Sequence, residues 1–151
     1  MTGELVINDV RQRSQDESGF TLVELLIVIL IMGILAAIAI PSFIGQKAKA
    51  NDASAKTQAR TLQTAMEAAA TDANGSYEGV TLERLEQLEP TLKDHNTNEP
   101  KVDKAEKEEF EVSSESSPSG NVYKILRGKN GTVTRTCTTA GKGSCPSNET
   151  W

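Results

Sequence analysis

Residues 19–44 read GFTLVELLIVILIMGILAAIAIPSFI, and this stretch decides the architecture. From Leu25 to Ile40 sixteen residues follow one another without a polar side chain. Between Phe20 and Ile44 only Thr21, Glu24 and Ser42 are polar. As a helix this span is roughly 37 Å long, enough to cross a hydrocarbon core. Gly33 and Pro41 lie inside it. Pro41 lacks a backbone donor and disfavours the helical conformation at Ile40, so a kink or loosened segment is expected between Gly33 and Pro41.

Glu24 is the most informative residue of the run. A charged side chain within an apolar span costs about 2.5–3.5 kcal/mol on insertion scales, and such a group usually has a partner. No Lys, Arg or His lies between Phe20 and Ile44. Cleavage between Gly19 and Phe20 would create a free amine four residues from Glu24. That amine could serve within the chain or from a neighbouring copy. The remaining alternative is a carboxylate at the membrane edge that reaches headgroups and water.

Residues 1–19, MTGELVINDVRQRSQDESG, are polar and without periodicity, and they read as a leader. A secretory signal peptide would place small residues at a cleavage site after the apolar stretch, a pattern that Ala36, Ala37 and Ala39 imitate. Against that reading, the apolar run continues through Ile38 and Ile40 to Ile44. The polar stretch before it is long, with Arg11 and Arg13 as its basic residues.

The helical pattern continues beyond Ile44. Ala55, Ala59, Leu62, Met66, Ala69 or Ala70, and Ala73 recur at spacings of three and four, which makes one apolar stripe. Asn74-Gly75 supplies the stop. One helix over 20–73, roughly 80 Å long, is therefore expected, apolar all round at first and amphipathic later. Residues 75–109 read as a connecting loop with a short helix. Leu82, Leu85, Leu88 and Leu92 share a side, Thr81 is the N-cap and Pro90 ends the turn. Residues 94–109 are highly charged and are expected to form a solvated loop.

Residues 110–151 read as a β-sheet and C-terminal loop. Phe110 and Val112 alternate with charged residues, and Val122–Arg127 and Thr132–Thr138 are further strands. Ser113–Gly120 is a turn-rich loop, and Gly128-Lys129-Asn130-Gly131 a hairpin turn. About three short strands bury little alone, so the sheet must lean on the Leu62–Met66 stripe. The expected fold is α+β, with a long N-terminal α-helix packed on a small antiparallel β-sheet. The domain reading is a leader over 1–19, a membrane helix over 20–45 and a soluble head over 46–151. Within the head, 46–73 continues the helix.

Composition narrows the function. The 151 residues carry 16 Lys plus Arg against 21 Asp plus Glu, which argues against nucleic acid as the main partner. Cys137 and Cys145, eight positions apart, read as one disulfide in an exported domain and as free thiols in a cytosolic chain. His95 is the only histidine and lies in a charged segment, where a solvated role outweighs catalysis. The sequence has no Gly-rich phosphate loop and no CxxC metal spacing. Glu83, Glu86 and Glu89 read as a solvated face, and the sequons at Asn74, Asn130 and Asn148 as chance patterns. No enzyme, metal or cofactor is expected.

Gly19-Phe20-Thr21-Leu22-Val23-Glu24-Leu25-Leu26, with the apolar run and its Gly33 and Pro41, closely resembles the N-terminus of type IV prepilins and related pseudopilins. The resemblance covers residues 18–46. It implies that a membrane prepilin peptidase cuts after Gly19 and N-methylates Phe20. Glu24 would neutralise the amine of an adjacent subunit. The apolar helix would rest in membrane lipid as a single span and then move, through a membrane assembly platform, into the core of an extracellular filament. Its partners there would be other copies of the chain and related pilins. The Gly33–Pro41 stretch would loosen on that transfer, and Cys137–Cys145 would tie the C-terminal loop of an outward-facing head. The leader departs from the family's short basic pattern, since Glu4, Asp9, Asp16 and Glu17 oppose Arg11 and Arg13. Lys47 and Lys49 follow the span, so loop charge does not fix its orientation.

The expected function is a pilin, the structural subunit of a type IV pilus or similar filament. The first alternative is a pseudopilin of a type II secretion or DNA-uptake system, which shares the motif. A rival of another class is a binding domain on an uncleaved membrane helix, which gains nothing from an intramembrane carboxylate.

Overall fold

A computed structural model describes residues 19–117 and 119–151. The leader expected over 1–19 lies outside these residues except for Gly19. The chain divides at Ser42/Phe43 into two units.

Helix α1 (Leu22–Asp72) begins in the first unit. Thr21 starts it: its hydroxyl oxygen accepts the backbone N–H of Glu24 at 3.1 Å, and its carbonyl accepts that of Leu25 at 3.2 Å. Thr21-x-x-Glu24 thus has the spacing of a capping box, with the acidic residue in the first turn where the helix dipole favours it. From Leu22 to Ser42 every residue but Ala36 is exposed. The large apolar side chains from Leu22 to Ile40 remain between 48% and 73% exposed. This segment is long and apolar enough to cross a membrane. Pro41 lies inside α1, which continues through both Gly33 and Pro41.

The second unit, Phe43–Trp151, contains the core. Along α1 the buried residues are Asp52, Ala55, Ala59, Leu62, Ala65, Met66, Ala69 and Ala70, the expected stripe with a carboxylate added at its start. The expected member Ala73 is exposed and lies past the helix end. There Asn74 (φ 55°) and Gly75 (φ 86°) turn the chain left-handed, and the Gly75 N–H returns to the Ala70 carbonyl at 2.7 Å. Helix α2 (Leu82–Leu88) follows, its N-cap Thr81 accepting from the Arg84 N–H at 3.4 Å. Leu85 and Leu92 are fully inside, and Leu82 and Leu88 pack against the same core. Pro90 opens a 3₁₀ turn (Pro90–Lys93) instead of merely closing α2. Its fixed φ suits a first helical position that needs no donor.

The sheet corrects the sequence reading. It has four antiparallel strands in the order β1 (Asn98–Ala105), β2 (Phe110–Ser116), β3 (Val122–Arg127) and β4 (Val133–Cys137). The expected solvated loop over 94–109 therefore contains a strand, and the sheet begins at Asn98 instead of residue 110. β1 lies at the sheet edge, where charged residues and Pro100 are tolerated because only one side of the strand is paired. The expected loop over Ser113–Gly120 is strand as far as Ser116, with Ser113, Ser114 and Ser116 buried. Register places Val112 opposite Ile125 and Tyr123 opposite Cys137. The hairpin turn stands where expected: Gly131 adopts φ 78°, and Thr132 N–H donates to Asn130 Oδ1 at 3.0 Å.

Phe110, Val112, Tyr123 and Ile125 face the α1 stripe and are fully buried with Leu62 and Met66. Tyr77 packs edge-on against Phe110 at 4.8 Å between ring centres. Its hydroxyl donates to Glu67 at 2.6 Å. Burial and then that carboxylate push the phenol up to about 12.

Candidate functional site: an N-terminal segment and a tethered C-terminal loop

Gly19 and Phe20 precede α1 without helical structure. Among the described residues a Cβ added at Gly19 meets nothing within 4 Å, and Phe20 is 82% exposed. The Gly19–Phe20 bond is thus accessible in the described structure. Glu24 projects from an exposed position in the first turn of α1, four residues beyond Phe20. An amine at Phe20 and the Glu24 carboxylate would therefore lie at the same end of the helix, where a carboxylate is favoured and can pair in cis or trans. A Cβ added at Gly33 meets nothing within 4 Å, so no packing in the described chain requires glycine there.

Cys137 and Cys145 form a disulfide, with Cα atoms 5.8 Å apart. The loop they close contains left-handed Thr139, Gly141 and Gly143, with φ values of 65°, 75° and 58°. Gly141 N–H donates to the Cys145 carbonyl at 3.0 Å and Cys145 N–H to that of Lys142 at 3.0 Å, so the loop folds back on itself.

This loop is fastened to α1 at Asp52, a residue that sequence analysis passed over. The fully buried carboxylate accepts from Ser119 Oγ at 2.5 Å, Asn121 Nδ2 at 3.2 Å and the Ser144 N–H at 2.8 Å. Burial alone would raise its pKa; the surrounding hydrogen-bond donors, Ser119 and the Ser144 N–H foremost, together outweigh burial and hold it below the usual carboxylate value. Lys56 Nζ donates to the Ser144 carbonyl at 2.7 Å, and Ser144 Oγ to the Lys49 carbonyl at 3.3 Å. Gly143 passes so close that an added Cβ would sit 2.1 Å from Asp52 Oδ2. The sequence did carry a signal: Asp52 stands three residues before Ala55 and seven before Ala59, in register with the apolar stripe. A charge at a core position needs a buried set of donors.

The C-terminus is tied down next to this loop. Trp151 Nε1 donates to the Thr136 carbonyl at 2.7 Å, and the Trp151 ring lies edge-on to Tyr123 at 5.7 Å. Arg60 stacks over the indole at 5.2 Å. His95 is exposed and pairs with Glu86 at 2.9 Å, while Glu89 caps the 3₁₀ turn through the Thr91 N–H at 3.4 Å. Among the described residues no group of three or more His, Cys, Asp or Glu is placed to hold a metal.

Residues 14–40 match the prokaryotic N-terminal methylation motif. The chain is 57% identical over 47 residues to the type IV major pilin protein PilA of Myxococcus xanthus, covering 31% of this chain and 21% of that protein. It is 51% identical over 39 residues to the type II secretion system core protein G of Klebsiella michiganensis, covering 26% of this chain and 28% of that protein. It is also 46% identical over 57 residues to the type IV narrow pilus major component PilA5 of Thermus thermophilus, covering 38% and 49%. The chain thus spans between about a fifth and a half of the length of these curated relatives.

Proposed function

We propose that this chain is the precursor of a structural subunit of a type IV pilus or pilus-like filament and works without catalysing a reaction. The observation that carries the reading is the conjunction of an accessible Gly19–Phe20 bond, Glu24 in the first turn of α1, and an apolar helix whose side chains find no cover in the described chain. A membrane peptidase cuts between Gly19 and Phe20 and methylates the new amine. The helix waits in the bilayer as a single span, then leaves for a filament at the cell surface through a membrane assembly platform. Lipid tails and neighbouring helices are equally apolar, so the exchange gives little net hydrophobic energy and an external motor must drive it. Glu24 opposes entry into the filament core unless an adjacent subunit's amine meets it, because an unpaired buried charge is strongly destabilising. Gly33 and Pro41 mark where α1 loosens during transfer, since Pro41 supplies no donor to the carbonyl of Ala37.

The likeness to the type II secretion system core protein G supports a second reading, a pseudopilin in a short secretion filament. Mechanical shearing of cells separates the two. A pilin appears in the sheared fraction at its mature mass, whereas a pseudopilin at native expression stays with the envelope. Gly19→Arg blocks processing and removes the subunit from either assembly. Normal release of that variant would contradict both readings.

A further inference from the structure

We infer that Asp52 is a positioning residue for closure of the Cys137–Cys145 disulfide: its carboxylate gathers the two chain segments that bring the cysteines together. The inference concerns maturation of the second unit and does not rest on the filament reading. Ser119 and Asn121, which donate to Asp52 at 2.5 and 3.2 Å, lead directly into β3. There Tyr123 is the register partner of Cys137. Ser144, whose N–H donates to the same carboxylate at 2.8 Å, immediately precedes Cys145. Asn121 Nδ2 also reaches the Lys142 carbonyl at 3.0 Å, so it joins the two segments directly. The approach of Gly143 leaves no room for a side chain between loop and carboxylate.

Closure joins the two sulfurs as both thiols give up their protons and, together, two electrons. A disulfide oxidant such as oxidised glutathione accepts them and is cleaved to two thiols. The reaction is intramolecular, so its equilibrium is set by the effective concentration of one thiol at the other. Contacts that exist only when the loop is seated raise that concentration. By linkage, the closed disulfide strengthens those contacts equally.

The test uses the full chain in detergent micelles, equilibrated with defined ratios of reduced and oxidised glutathione, acid-quenched, and counted for thiols by mass spectrometry. Asp52→Asn is expected to lower the effective concentration about tenfold, and Ser119→Ala, which removes one donor and keeps the charge, about threefold. Values within about twofold of wild type for both variants would overturn the inference, and Ser119→Ala alone decides it if Asp52→Asn fails to fold. A double-mutant cycle separates positioning from general support of the fold. Asp52→Asn should change the unfolding equilibrium less in a Cys137→Ser, Cys145→Ser background than in the oxidised protein. Equal changes in the two backgrounds would show that Asp52 and the disulfide act independently, and would also overturn it.

Discussion

The backbone N–H of Glu24 donates to the Thr21 hydroxyl oxygen at 3.1 Å, so the residue that carries the charge of the apolar segment also closes the first turn of the helix it occupies. The two roles use different atoms, and substitution separates them. Glu24→Gln keeps the backbone donor and removes the charge. It should leave helix content and membrane insertion unchanged while reducing the subunit in sheared filaments about tenfold, the effect of an unneutralised neighbouring amine. Quantitative immunoblotting of the sheared and membrane fractions reads this out, and equal distribution of variant and wild type would remove the assembly role.

Thr21→Ala tests the other half. Loss of an N-cap side chain costs about 1 kcal/mol at the start of a helix. Fraying should appear as faster amide exchange at Glu24 in micelles, with the charge chemistry of Glu24 intact. Incorporation should fall far less than for Glu24→Gln.

Leu62→Ala probes the core. Leu62 is fully buried where α1 meets the sheet, against a cluster that includes Phe110, Val112, Tyr123 and Ile125. The expected cost is about 2–5 kcal/mol, because the surrounding elements collapse only partly into the void. Denaturant unfolding of the chain in micelles, followed by Trp151 fluorescence, measures it.

Asp52 gives the second unit a pH dependence of known sign. Its folded pKa lies below the unfolded value, so its contribution is complete above the unfolded carboxylate value of about 3.9 and is lost as pH falls through the lower folded value. The wild type should lose stability over that acidic window. Asp52→Asn should be less stable at neutral pH and flatter below about pH 4. Thermal melts at several acidic pH values provide the comparison, and parallel curves would exclude the linkage.

Much of this architecture was legible because single residues have strong local preferences. The apolar run from Leu25, the stripe through Ala55, Ala59, Leu62 and Met66, the Asn74-Gly75 stop and the Asn130-Gly131 turn each follow from one physical rule. β1 was not legible. Its buried positions are held by Asn98 and Pro100, and Glu99, Lys101, Asp103 and Lys104 stand between and after them, so the strand has no apolar alternation to detect. It is a strand because β2 offers it a partner edge, with Asn98 opposite Ser116 and Val102 opposite Val112. Ser113–Ser116 misled for the complementary reason: serines that favour turns in isolation are held extended by strands on both sides. Asp52 was visible by position and overlooked by type. Its donors come from Ser119, Asn121 and Ser144, which only the folded chain brings to it.

In the proposed function the chain is cut before Phe20 and then assembled through its N-terminal helix. Intact-mass analysis of protein sheared from the native cell surface tests it most directly. The expected species starts at Phe20, gains one methyl group and lacks two hydrogens because Cys137 and Cys145 are joined. A full-length mass that retains residues 1–19, confined to the membrane with nothing released by shearing, would contradict it.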